Sequence, residues 1–573
     1  MELKEIRKKN KLTQQECAET LGVSRRKYQS IENKEEGYDV EKYDYYCGLL
    51  ASNLTSAKNE AENDLRCDVQ TGEELNLLYE KVQSYKERDA LQSLRGYIEN
   101  DFGPRVCILY GLRRTGKTTM LFQLLNSMDH SKAAYIKVKE TNSMGDLIKD
   151  INTLYARGIR YLLIDEVTLL EDFINTSATL SDIYCAKGMK IILSGTDSLG
   201  FAFARNDELY DRCIMIHTSY IPFKEFYEVL GIFDIDEYIE YGGTMKKENM
   251  TFSNPKYDND YLAFANDEST RRYIDTAICR NIQRTLRNNK FGNRFAYVRD
   301  LYDKDELTNA INRILENMNH DFLISVVTEQ FKSHDLGSSR QMLTFSKIKK
   351  AQTALYEIDE EKVLTSLKQI IGIKEKNEQK VVITQEALKQ IKEYLYELDL
   401  LTDVEVRYSD GRVEERPVFT QPGMRYSIAK ALVYALKKDD YIKSLSASEQ
   451  NYIVDKILSD VKGRMLEDIV LLERTRNKKE EEDVYKYVAY NEGEYDMVVY
   501  NAKTDKYELY EIKHTENINV EQQARYLNSE KLFEKMSRGY GSIDEKCVLY
   551  RGNSTRKGDI AYVDVKNYLR FHC

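Results

Sequence analysis

The sequence has little that would tie it to an oxidising compartment, a bilayer or a polyanion. Its nine cysteines, at 17, 47, 67, 107, 185, 213, 279, 547 and 573, include no C-x-x-C pair and no histidine at zinc-ligand spacing. That pattern excludes a zinc ribbon and points to reduced thiols in a cytoplasmic protein. No stretch stays apolar over the roughly 20 residues that span a bilayer. The N-terminal MELKEIRKKN is charged with no apolar core behind it, so neither insertion nor secretion is expected. Positive charge is not in excess either: 85 Lys plus Arg stand against 95 Asp plus Glu, a formal charge of −10. Any contact with nucleic acid must therefore be local. At 573 residues the chain has room for three or four domains, each with its own core.

What is present is most explicit at residues 105 to 119, RVCILYGLRRTGKTT. Val106 to Tyr110 is an apolar run suited to a strand buried on both faces. Gly111 and Gly116 let the backbone curl so that its N–H groups point inward, and Lys117 can reach the outer phosphates of a nucleotide. Thr118 offers a hydroxyl to magnesium, and the helix starting there turns its positive end to the anion. Gly111, Arg114, Thr115, Gly116, Lys117, Thr118 and Thr119 form the expected binding set for ATP and Mg2+. The bland alternative is a glycine-rich turn with an exposed lysine. A second strand, RYLLIDE, delivers Asp165 to the metal and Glu166 to the attacking water; alone, such a pair would as readily cap the next helix. A third, MKIILSGTDS, ends in Ser194, Thr196, Asp197 and Ser198, a group placed to sense the terminal phosphate. With Ala133 to Val138 and Cys213 to His217, these segments predict a mostly parallel five-stranded sheet in a three-layer α/β/α core.

Together these residues resemble the prokaryotic AAA-type ATPases of the archaeal-ATPase-like group. The resemblance extends to Asp211-Arg212 with IMIHTSYIPFKEF, and to Tyr241-Gly242-Gly243 with YIDTAICRNI at 273 to 282, which look like that group's helical lid. It implies ATP hydrolysis and makes Arg212, or less readily Arg205, an arginine-finger or phosphate-sensing candidate, against the alternative of a structural arginine.

Residues 3 to 33 carry Thr13 and Glu16 at capping-box spacing, then Gly22 for a turn, Val23 for a core and Ser24 to cap a further helix. The segment resembles helix-turn-helix domains of phage-repressor type. That likeness places Gln14, Arg25, Arg26, Tyr28 and Gln29 toward phosphates or base edges. Met1 to Lys34 holds nine Lys or Arg against five Asp or Glu, so Arg25, Arg26, Lys27 and Gln29 are the DNA-binding candidates. The acidic run after it, from Glu35 to Asp44, keeps open a protein-interaction module instead.

Farther on, Leu388, Ile391, Leu395 and Leu398 share one helix face behind Thr384. The strands Val404 to Tyr408 and Val413 onward flank a Ser-Asp-Gly turn, an arrangement expected to be winged-helix-like. The last 110 residues place Glu467 on a helix, Asp496 on the strand EYDMVVY, and Glu511 and Lys513 on one face of YELYEIKH, with Gln522 and Tyr526 one helical turn apart. Glu467, Asp496 and Glu511 are metal candidates and Lys513 a catalytic one. This set resembles the PD-(D/E)xK nuclease fold over roughly 460 to 573, with Tyr495 replacing its Pro; a fold kept for packing alone is the alternative.

The expected organisation is a multidomain α/β chain: helix-turn-helix 1–66, P-loop core 67–230, helical lid 231–340, winged-helix-like 341–455 and α+β nuclease-like 456–573. Two functions follow. One is an AAA-type ATPase coupling nucleotide state to a DNA-related output, regulatory or nucleolytic. The other is a nucleotide-switched regulator with an inert nuclease-like scaffold. DNA is the expected partner and no membrane contact is expected; homo-oligomerisation stays open.

Overall fold

The computed structural model describes residues 3–9, 13–21, 23, 25–33, 43, 46–47, 65–196, 200–201, 204, 209–218, 220–245, 263–288, 295–332, 360–378, 383–490 and 492–573. The first sheet has six strands: β1 (Asp68–Thr71), β2 (Val106–Tyr110), β3 (Ala133–Lys137), β4 (Tyr161–Asp165), β5 (Lys190–Gly195) and β6 (Cys213–His217). They lie in the order β1-β3-β4-β5-β2-β6. β2 to β6 are parallel throughout, and β1 is antiparallel at the edge. Five of these strands are the expected ones. β1 reads DVQT, too polar and too short to show alternation; it is held by the Asp150 carboxylate, which accepts from the backbone N–H of Arg66 (2.9 Å) and Cys67 (2.7 Å).

Alternate residues of β2 feed two cores, because a buried parallel sheet needs both faces covered. Cys107 and Leu109 pack with Leu91, Leu94, Tyr97, Leu121 and Leu124 of helices Ala90–Glu99 and Lys117–Leu125. Val106 and Ile108 face Leu147, Ile151 and Leu154 of helix Met144–Ala156. That second core continues without a break through the helices between Ile235 and Val327 and into the C-terminal part, as far as Leu569.

The second sheet has eight strands: β7 (Leu401–Tyr408), β8 (Val413–Phe419), β9 (Glu482–Ala489), β10 (Gly493–Asn501), β11 (Lys506–Ile512), β12 (Ser542–Tyr550), β13 (Thr555–Lys557) and β14 (Ile560–Asp564). Their order is β13-β14-β12-β11-β10-β9-β7-β8. The hairpin turns where expected, with Gly411 at φ 91. It is not a wing, however: β7 pairs parallel with β9, so the hairpin is the edge of the C-terminal sheet. A hairpin signal is local and does not reveal which strand its free edge will find. The expected boundary at 455/456 likewise falls inside one 30-residue helix, Ala447–Arg476, started by a Ser446–Glu449 capping box.

The N-terminal helices Leu3–Lys9, Gln14–Thr20 and Arg25–Glu32 enclose Leu3, Cys17, Ala18, Leu21 and Tyr28. The capping box forms reciprocally: Thr13 N–H donates to Glu16, and Glu16 N–H to Thr13 Oγ1. Gly22, Ser24 and most of 34–64 lie outside the described residues. No described helix is long and apolar enough to cross a membrane, and none of the nine cysteines forms a disulfide.

One buried carboxylate ties the helix Ala447–Arg476 to the segment after β6. Glu473, 1% exposed, accepts from Phe223 N–H and from the Tyr238 hydroxyl, both at 2.9 Å. Burial pushes its carboxyl up from 4.5 to about 7 despite those two bonds. A raised carboxyl contributes stability that is full below its ordinary value and is lost as pH rises through the raised one. The wild type should therefore lose about 2 kcal/mol between pH 5 and 8 that Glu473→Gln does not lose. Denaturant melts of both proteins at the two pH values check this; parallel pH profiles would refute it.

Candidate functional site

The phosphate loop follows β2 directly. Gly111 sits at φ 147, where a Cβ would lie 2.1 Å from the Thr218 carbonyl oxygen, so only glycine fits. Gly116 is held to glycine by its left-handed φ of 85; a Cβ there would also lie 2.5 Å from Met245 Sδ, the movable end of a side chain. Arg114 takes a left-handed φ of 63, and its carbonyl accepts from Met245 N–H at 2.7 Å. Thr115 is fully buried; its hydroxyl bonds the Leu112 carbonyl (2.9 Å) and meets Thr218 Oγ1 (3.0 Å). The loop is braced from behind by Arg88, whose buried guanidinium donates to Thr115 O (2.6 Å), Glu225 (2.6 Å) and Tyr220 O (3.3 Å). Nothing in the sequence near Arg88 marks it, because its partners lie 27, 132 and 137 positions away.

Lys117 opens the helix Lys117–Leu125, with Thr118 and Thr119 after it. Its ammonium donates to the carbonyls of Gly111 and Leu112, both at 2.8 Å, and so lies across the cradle. Burial lowers it to about 8, against the pull of Glu166 and Asp165. Asp165, at the end of β4 and 2% exposed, collects hydroxyls from three elements: Thr118 (2.7 Å), Tyr135 of β3 (3.0 Å) and Ser194 of β5. The Thr118 hydroxyl and Asp165 carboxylate are hard oxygen donors side by side, which fits a magnesium ion. Glu166 stands next in a left-handed turn (φ 59), its carboxyl raised by burial and by the Asp165 charge. Such a shift brings a carboxylate nearer the range useful to a base.

Other expectations meet a different arrangement. Ser194 serves Asp165 and is not left to sense a phosphate. Thr196 is buried, and its carbonyl accepts from the Asn281 side chain (3.2 Å). Asp197, Ser198 and Arg205 lie outside the described residues. Arg212 precedes β6 and its carbonyl accepts from Val106 N–H, at the start of β2. The phosphate loop leaves the opposite end of that parallel pair, so Arg212 cannot reach the phosphates of its own chain; it pairs with Asp182 at 2.8 Å. Nearer the loop, Arg113, Arg114 and Arg272 border a cavity of about 370 Å³ together with Ser269, Tyr273 and Thr276. Of these three guanidiniums only that of Arg114 was expected near the loop; Arg113 and Arg272 were not.

In the N-terminal unit, Arg25, Arg26 and Lys27 are exposed on the first turn of their helix. Tyr28 is fully buried in the core, which removes it from any DNA face. Gln29 donates to Gln14 (2.8 Å) and Gln14 to Glu32 (2.6 Å), an internal chain that fixes both amides.

In the second sheet the expected set does converge. Lys513 Nζ bonds Glu511 (2.6 Å) and Asp496 (3.1 Å), and Ile512 N–H donates to Asp496 (2.8 Å). A second lysine stands beside it. Lys486 of β9, 2% exposed, lies 3.3 Å from Glu467, 3.2 Å from Glu494 and 3.6 Å from Asp496. Burial opposes the Asp496 charge, yet the two lysines hold this carboxyl down to about 2; burial drives Glu511 up to about 8. With ammonium groups already on these carboxylates, the set does not fit a divalent cation as arranged. Among the described residues no group of three His, Cys, Asp or Glu is disposed to hold a metal. Gln522 and Tyr526 do not share a helical turn: that helix, Val520–Gln523, ends between them, and Tyr526 packs on Gly493.

Residues 103–227 match the family model described as AAA domain, and residues 3–37 that described as Helix-turn-helix. None of the curated proteins matches the chain. Among solved structures, the ORC1 protein of Aeropyrum pernix in complex with DNA is similar over 62% of this chain and 93% of that one, at 12% identity. With a TM-score of 0.21, this likeness carries no argument about the present fold. The chain thus carries an AAA domain of the P-loop type preceded by a helix-turn-helix.

Proposed function

We propose that this protein binds and hydrolyses ATP and that nucleotide state controls an action on DNA held by its N-terminal helices. The observation that carries the first half is the Thr118–Asp165 contact at 2.7 Å beside a loop whose lysine already lies across it. Thr118 and Asp165 would hold magnesium, which supplies charge neutralisation at the phosphates. Lys117 leaves the carbonyls of Gly111 and Leu112 for the outer phosphates, and Glu166 orients and deprotonates the attacking water. Arg114 and Thr115 shape the loop, with Thr119 one residue along the helix.

A route for control is built from contacts. Met245 N–H bonds the loop at Arg114, and Gly242–Gly243 lead back to helix Ile235–Tyr241. At the far end of that two-turn helix, Asp236 meets His514 (2.7 Å), Arg551 (2.9 Å) and Lys462 (3.5 Å). His514 directly follows Lys513. A second reading, a nucleotide-switched regulator whose C-terminal sheet cuts nothing, is favoured by the ammonium groups that already occupy its carboxylates. ATP turnover with and without duplex DNA, together with plasmid nicking, separates the two: only the nucleolytic form nicks.

Lys117→Ala should weaken ATP binding by at least about tenfold in calorimetric titration, since one charged contact to the phosphates is lost. Unchanged affinity would remove the lysine from the site. Glu166→Gln should keep ATP bound while turnover falls by about 10²-fold or more, because the amide keeps the shape and loses the base. Equal turnover would exclude Glu166 as the base. For DNA, Arg25→Ala in the full chain should lower the slope of log affinity against log salt by about one unit. An unaltered slope would mean that Arg25 touches no phosphate.

A further inference from the structure

Residues 267–288 form one continuous helical run: an α-helix Asp267–Tyr273, a π-helical stretch Ile274–Cys279 and an α-helix Arg280–Asn288. Its inner side is apolar, with Ile274, Ala277, Ile278, Ile282 and Leu286 buried. Its outer side is basic. Arg272, Thr276, Arg280, Arg284 and Arg287 follow one another at steps of three or four, the spacing that keeps side chains on one face. Steps of four drift by about 40° each in an α-helix, and the more widely wound π stretch between Arg272 and Arg280 offsets that drift. Exposure follows the same line: Arg272, Arg280 and Arg287 are exposed, Thr276 and Arg284 half-buried. From Arg272 to Arg287 the line runs roughly 20 Å.

At its first arginine the line meets the phosphate loop. Arg272 borders the cavity of about 370 Å³ with Arg113 and Arg114, and Ser269 and Thr276 add hydroxyls to its wall. No carboxylate is among the described residues that line it. Nor are Lys117, Thr118 and Asp165, which sets the cavity apart from the magnesium side of the loop. The loop leans on this wall: the Tyr273 hydroxyl donates to Arg113 O (3.3 Å), and Gln421 Nε2 donates to that hydroxyl (3.0 Å). Glu268 meets Arg272 at 3.4 Å, Arg284 bonds Glu140, and Tyr302 holds Arg287 in the field of Glu140 and Glu171. The side chains of Glu268 and Glu140 are 84% and 69% exposed, and ion pairs so placed are weak enough to yield to a phosphate.

A row of guanidiniums at regular spacing suits an anion that repeats. In a chain of formal charge −10 it marks one local partner surface, not a general attraction. Over roughly 20 Å one strand of a DNA duplex carries about six phosphates. We infer that Arg272, Arg280, Arg284 and Arg287 form a second DNA-backbone surface, and that Arg113 and Arg114 take a phosphate of the same strand in the cavity. The inference rests on the reading of DNA as the partner and adds where DNA meets the ATPase core. DNA bound there touches two residues of the phosphate loop, so its arrival is felt at the nucleotide without passing through the N-terminal helices.

The test measures duplex DNA binding by the full-length chain over a range of salt, and ATP turnover with and without that duplex. Arg280→Gln/Arg287→Gln should lower the slope of log affinity against log salt by about two units and reduce the effect of DNA on turnover, with turnover in the absence of DNA unchanged. Arg280→Lys/Arg287→Lys keeps both charges and should keep the wild-type slope; a packing role would leave the slope altered in both variants. The variant Arg25→Ala/Arg26→Ala/Lys27→Ala separates the two DNA surfaces. If it lowers the slope and the Gln variant does not, the inference fails and the N-terminal reading stands. If only the Gln variant lowers it, the inference stands and the N-terminal contact falls. If neither alters binding, both fail. The inference is overturned also if Arg272→Gln keeps the slope but loses ATP affinity, which assigns the cavity to ATP's own phosphates. It is overturned, too, if phosphatidylserine vesicles and not duplex DNA distinguish the wild type from the Gln variant.

Discussion

The nucleotide site depends on one carboxylate being reached from three directions. Asp165 ends β4 and draws in hydroxyls from Thr118 on the helix after the loop, Tyr135 on β3 and Ser194 on β5. A buried anion at a sheet terminus is stable only while such donors surround it, and each donor is delivered by a different element. The order β3-β4-β5-β2 is what makes this convergence available. The Arg88 brace acts from the other side, tying the loop backbone at Thr115 to Glu225 and Tyr220. Between them, these contacts fix the shape of the loop backbone, and a backbone so held reduces the ordering that nucleotide binding must do.

The parts that could be read from the sequence are those whose chemistry is contiguous. The phosphate loop, the two residues after β4 and the Thr13–Glu16 cap each lie within a few positions, and the structure places them as that spacing implies. Asp496, Glu511 and Lys513 also meet, because strand alternation and a short turn set their register, and the helix Ala447–Arg476 brings Glu467 alongside through Lys486. What could not be read depends on distant partners. Arg88, Glu473 and Lys486 look like ordinary surface charges until the sheets close around them. Tyr28 shows the reverse failure: its place in a recognised motif suggested a DNA face, whereas its ring fills the small core of that unit. The Asp-Gly hairpin was misplaced, and the distance of Arg212 from its own chain's loop was not foreseen, because local pattern reports neither strand order nor which end of a sheet a residue occupies.

Charge is handled differently in the two sites. Around the loop, carboxylates and lysine are close yet uneven, with Glu166 raised and Lys117 lowered, so the site has room for an anion and a cation from outside. In the second sheet the same residue types are nearly matched internally, which favours a folded resting state over ligand capture. Residue types alone do not separate the two sites; the pairing does.

The helix Ala447–Arg476 belongs to both halves of this arrangement. It sends Glu467 to the cluster under Lys486 and Glu473, six residues later, to the Phe223 N–H and Tyr238 hydroxyl. Six residues advance an α-helix by about 9 Å and leave the two side chains roughly 120° apart around its axis. A rigid rod with two such cranks cannot turn at one without turning at the other. Twisting that draws Glu473 off its two donors necessarily swings Glu467 relative to the Lys486 ammonium, so torque on either end is mechanically shared by the other.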